Sequence, residues 1–114
     1  MLPQLEAILR ASAKVITIDV LDNDPIDADN FLFKLRCQLT TGTKLQIRLR
    51  AVAGHLHYSY QEFDVAEIQR WDNAPHFPHL KTHPHHYHDP QGNVLDSPLS
   101  GDPLADLPIV LSKL

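Results

Sequence analysis

With 114 residues, the chain is long enough for one domain with a modest core and too short for two, so a single domain over residues 1–114 is expected. Hydrophobic residues make up 43% and charged residues 21%, which excludes wholesale disorder and a membrane-embedded chain. The net charge of −4 is unevenly spread: residues 1–30 carry −4, residues 31–88 carry +3 and residues 89–114 carry −3, so a positive island lies between acidic flanks and can attract phosphate locally.

Leu2, Leu5, Ile8 and Leu9 recur at helical spacing behind Pro3, predicting a short amphipathic helix over residues 3–13. The β-branched run at residues 14–21 predicts a strand, and the acidic stretch that follows, up to Asn30, a loop. Phe31, Phe33, Leu35, Cys37 and Leu39 then alternate with Lys34, Arg36 and Gln38. After Thr40-Thr41-Gly42, Leu45, Ile47, Leu49 and Ala51 alternate with Gln46, Arg48 and Arg50, which predicts a hairpin. Ala53-Gly54 offers a tight turn into a strand over residues 55–61, and residues 66–72 predict a fifth.

Between Asn73 and Gly101 five prolines forbid a helix and disfavour a central strand, predicting a long loop. Asp106 is placed to cap a final helix, with Pro108 in its first turn and Leu107, Val110, Leu111 and Leu114 facing inward. The expected class is α+β: an antiparallel meander of about five strands, with an N-terminal and a C-terminal helix packed on one face. No apolar run approaches the ~20 residues of a spanning helix, and the start lacks the pattern of a secretory signal. With Cys37 as the single cysteine, a soluble, unprocessed, cytoplasmic protein with no membrane partner is expected, and Cys37 itself reads as an inert packing residue. The exposed edge strand of a meander permits a homodimer by sheet extension.

Two places carry candidate chemistry. The hairpin register sets Lys34 opposite Arg48, Arg50 opposite His57 and Arg48 opposite Ser59, so like charges crowd one sheet face and call for solvent or an anionic partner such as RNA. Six of the eight histidines lie between His76 and His88. Imidazole titrates near neutral pH and is both a frequent acid–base catalyst and a common metal ligand. For RNA cleavage, His76, His85, His86 and His88, with Asp72, supply acid, base and orienting groups, while Arg48, Arg50, Arg70, Lys34 and Tyr58 face the phosphate. As a metal module, His83, His85, His86 and His88 would hold a divalent ion such as zinc, although their spacing matches no standard finger. Otherwise no cofactor is expected. The bland alternatives are a solvated basic face, Pro-His turns whose rings bond loop carbonyls, turn-forming roles for Asp72 and Asn73, and a core Trp71.

The run Arg70-Trp71-Asp72-Asn73-Ala74-Pro75-His76, followed by Thr82, Pro84, His85, His86 and His88, resembles the motif of the small TumE-like toxins of bacterial toxin–antitoxin systems. Tyr58-Ser59-Tyr60 is similar to a strand of the same family. Phe77 stands where that pattern has a histidine, His83 where it has phenylalanine and Tyr87 where it has lysine. The resemblance implies a toxin neutralised by a small antitoxin encoded nearby. A non-enzymatic interaction protein is the competing reading, and a His-rich metal-binding module the third.

Overall fold

The computed structural model describes residues 1–114. Helix α1 (Leu2–Ala11) leads into β1 (Val15–Asp27), β2 (Asn30–Leu39), β3 (Lys44–Val52), β4 (His55–Phe63), β5 (Glu67–Asp72), β6 (His86–His88) and β7 (Val94–Asp96). Helix α2 (Pro103–Ser112) closes the chain. The strands form one antiparallel sheet in chain order. No helix is long and apolar enough to cross a membrane.

The class is α+β as expected, but the sheet has seven strands rather than about five. The two extra strands come from the proline-rich segment. No proline falls within His86–His88 or Val94–Asp96, so each can pair, and the Asp89 carboxylate accepts from Gln91 and Asn93 N–H to form the turn between them. The acidic stretch after residue 21 is also strand, not loop. β1 continues to Asp27, with Asp22 opposite Lys34 and Asp24 opposite Leu32. Its pairing slips at three places, around Ile16, Leu21 and Ile26, and each slip resets the inward–outward alternation that reveals a strand in sequence.

The central register is the one expected: Lys34 opposite Arg48, Arg48 opposite Ser59 and Arg50 opposite His57. Ala53 and Gly54 both adopt positive φ, 51° and 80°, the backbone of a two-residue turn whose twist matches that of the strands. The inner sheet face presents Leu35, Ile47, Tyr60 and Trp71. Leu5 and Leu9 of α1 and Leu107 and Val110 of α2 belong to the same buried cluster. Each such side chain contributes about 1.5 to 3 kcal/mol relative to leaving it in water. Burial pushes the Cys37 thiol up to about 12, as suits an unreactive packing residue. The Tyr60 hydroxyl is buried without a hydrogen-bond partner.

The start of α2 differs from expectation. Asp102 is the cap, accepting from Leu104 N–H, and Pro103 occupies the first turn. Asp106 is almost fully buried and turns back to accept from the Ser100 N–H and hydroxyl and from Gly101 N–H, so it ties the incoming loop to the helix instead of capping it. Pro108 lies inside the helix, and Leu107, Val110 and Leu111 face the core.

Candidate functional site on the outer sheet face

Alternation puts Lys34, Arg48, Ser59, Asp72 and His86 in one cross-strand row on the outer face, and Arg36, Gln46, Gln61, Arg70 and His88 in the next. At β5 and β6 these side chains make a connected polar cluster. Arg70 donates from Nε to Asp72 Oδ2 (2.8 Å) and from Nη1 to Glu67 Oε1 (2.6 Å), and its Nη2 lies 3.1 Å from His88 Nε2. A guanidinium can only donate, so His88 Nε2 offers its lone pair. Ala74 N–H donates to Asp72 Oδ1 (3.0 Å), and His86 Nε2 is 2.8 Å from the same oxygen. His86 Nδ1 is 3.1 Å from the Pro84 carbonyl, so both ring nitrogens face oxygen acceptors.

Burial tightens the cluster. His86 is 2% exposed although it stands on the outer face, because the loop after β5 folds over it and lays the Phe77 ring 4.8 Å from its own and 5.9 Å from that of His88. Burial first, and then the Arg70 guanidinium, lower the pKa of His88 below its ordinary value, against the opposing pull of Asp72. The shift favours the neutral imidazole, whose Nε2 lone pair is held by the Arg70 Nη2 hydrogen bond, so the ring can act as a base once that contact is released.

Next to the cluster is an open cleft of about 310 Å³, lined by Arg48, His57, Tyr58, Ser59, Arg70, Asp72, Asn73 and Ala74. Arg48 and His57 are exposed and Arg70 is partly so; Arg70 is already paired with Glu67 and with Asp72, which also lines the cleft, so Arg48 is the cation free to meet an anion there. Asn73 is structural here: its side-chain oxygen accepts from Tyr58 N–H and its amide donates to the Leu56 carbonyl, carrying the β4–β5 ladder past the end of the strand.

The histidines singled out from sequence do not share one place. His86 and His88 join Asp72 and Arg70. His85 is their neighbour in the chain, yet strand alternation sends it to the inner side, where its Nδ1 lies 2.8 Å from the Tyr58 hydroxyl and its ring packs against Gly101. Tyr58 is buried, and burial, with Asp106 and Asp72 adding to it, pushes its hydroxyl well above its ordinary pKa. His76 is exposed with its ring edge-on to Phe77, and His83 is exposed. Arg50 and Lys34 lie on the basic face but do not line the cleft. His57 does line it, and sequence reasoning gave it no catalytic role, although its outward alternation opposite Arg50 was the available signal.

Donor atoms of Asp72, His86 and His88 lie within 4.8 Å of one another, so this trio, rather than the four histidines 83, 85, 86 and 88, could gather around a metal ion. Arg70 already places a permanent cation against two of those donors, and would have to give way to a second.

The family model described as Toxin TumE matches residues 4–113, nearly the whole chain. No curated protein matches it, and no solved structure does.

Proposed function

Because the chain belongs to the TumE toxin family, we propose that it is the toxin of a toxin–antitoxin pair, that it acts on RNA in the cytoplasm by histidine acid–base chemistry, and that a small antitoxin encoded nearby restrains it. The observation that carries the RNA reading is the outer-face cleft lined by Arg48, His57 and Arg70, with His88 outside the lining but 3.1 Å from Arg70 Nη2 through its Nε2. The exposed Arg48 suits a phosphodiester, and Arg70, held in place by Asp72 and Glu67, is a donor fixed before substrate arrives that stabilises the charge building on phosphorus.

In this reading a phosphate rests against Arg48 and Arg70. As Arg70 turns its Nη2 from His88 to the phosphate, His88 Nε2 is freed to take the proton of the 2′-hydroxyl while that oxygen attacks phosphorus. The bond from phosphorus to the 5′ oxygen breaks, and protonated His57 gives its proton to the departing oxygen, leaving a 2′,3′-cyclic phosphate and a 5′-hydroxyl. Asp72 and His86 are positioning residues: Asp72 holds the Arg70 Nε, and His86 and Ala74 N–H hold Asp72.

The test is cleavage of a short RNA oligonucleotide in the presence of EDTA. Wild type should cleave, and His88→Ala and His57→Ala should each lose on the order of 100-fold or more, the usual worth of a positioned acid or base. His76→Ala, on an exposed loop, should stay within about twofold. No cleavage by any protein, equal rates in all of them, or activity lost to EDTA and restored by zinc would each overturn the mechanism. The last result would transfer the function to a metal held by Asp72, His86 and His88.

A further inference from the structure

β1 pairs only with β2, so its other side is an open sheet edge, and every residue from Asp19 to Asp29 is exposed. It is the longest strand, 13 residues, with four aspartates and no basic residue. Long open edges are normally blunted by charge, by proline or by bulges, and β1 carries aspartates, Pro25 and three slips that guard it against unselective pairing. Here the residues at the three register slips are Ile16, Leu21 and Ile26, at 64%, 43% and 72% exposure, so an aliphatic side chain stands free at each. At the far end of the strand two adjoining apolar grooves of about 260 and 300 Å³ open against Met1, Pro25 and Phe33.

We infer that β1 is a docking edge for an extended segment of a partner protein in which basic residues alternate with apolar ones. Its cations meet Asp19, Asp22 and Asp24, and its apolar side chains cover Ile16, Leu21 and Ile26 and enter the grooves beside Pro25. Charge selects this occupant. A second copy of the chain paired edge to edge would bring two strands of four aspartates together with no basic residue on either to offset them, and like charges close across strands are destabilising. Nucleic acid is repelled by the same row of carboxylates. Strand-edge recognition of this kind takes its affinity from the extended backbone and its selectivity from alternate side chains in pockets. The edge lies two strands, roughly 10 Å at the usual inter-strand spacing, from Arg48, the nearest residue of the cleft lining, and an occupant would extend the sheet away from it, leaving the outer-face cleft open. The inference therefore stands apart from the RNA reading.

The experiment uses the full chain and a synthetic peptide of about ten residues alternating lysine and isoleucine, with a glutamate-for-lysine version as control. Binding is read by calorimetry and its place by amide hydrogen exchange. Saturable binding of the lysine peptide, with exchange slowed across Val15–Asp27, is expected, and no binding of the glutamate peptide. Two variants change only exposed side chains: Asp19→Asn with Asp22→Asn and Asp24→Asn, and Ile16→Ser with Leu21→Ser and Ile26→Ser. Each set should weaken binding by about tenfold, the combined worth of several modest exposed contacts. Absence of binding, binding to both variants as tight as to wild type, or slowed exchange elsewhere would overturn the inference. So would sedimentation of the wild type as a dimer that the serine variant makes monomeric, since the occupant would then be a second copy.

Discussion

The two ends of the sheet handle charge in opposite ways. At β5 and β6 a carboxylate, a guanidinium and two imidazoles are drawn together under the Phe77 ring, each with a defined partner. At β1 four aspartates point into water, and only Asp27 is committed locally, accepting from Asp29 N–H and the Asn30 amide to close the turn into β2. Charges of one kind of chemistry thus have two consequences. Where water is excluded, partners fix geometry and a change is costly. Where water remains, solvent satisfies the charge and the chain stays free to meet something else.

The contrast should appear in stability measurements, most strongly at His86. His86→Ala takes a partner from Asp72 in a nearly buried setting, leaving Arg70 and Ala74 N–H, and should cost about 2 to 3 kcal/mol, or roughly 10 °C in melting temperature. Chemical denaturation with unchanged m-value would check it. His88 should give the fold an acid sensitivity. Its folded pKa lies below the ordinary 6.5, so the unfolded chain takes up a proton more readily; this contribution is intact above that pH and is lost as pH falls from there through the folded value. A stability–pH curve for His88→Gln should be flatter in that window. Tyr60→Phe removes a buried hydroxyl that has no partner, and should leave stability unchanged or raise it by up to about 1 kcal/mol in the same denaturation experiment. At β1, Asp22→Asn should stay within about 0.5 kcal/mol, and a larger loss would mean that this end of the sheet is no less constrained than the other.

The central sheet was legible in sequence because each strand is buried on one side, so apolar alternation and two short turns fix the register of β2, β3 and β4. β1 was only half legible. It is exposed on both faces along most of its length, and three register slips scramble whatever alternation it has. β6 and β7, three residues each, are too short to show a period, and the prolines around them mask their pairing. That is why His85 and His86 read as one cluster: without the strand between Pro84 and Asp89, nothing in the sequence separates the two faces. Of the motif residues, Asp72, His86, His88 and Arg70 meet in one cluster. His57 was legible in its outward alternation opposite Arg50, whereas the burying role of Phe77 depends on a loop folding back over the sheet, which composition does not encode.

The most direct measurement is an amide-shift titration by NMR with a 2′-O-methyl RNA oligonucleotide, which binds but cannot be cleaved by attack of its 2′-hydroxyl. Shifts concentrated at Ser59, Arg70, Asn73 and Ala74, with β1 silent, are the expected result. Shifts centred on Tyr58, His85 and Gly101, or none at all at low salt, would contradict an RNA site on the outer face.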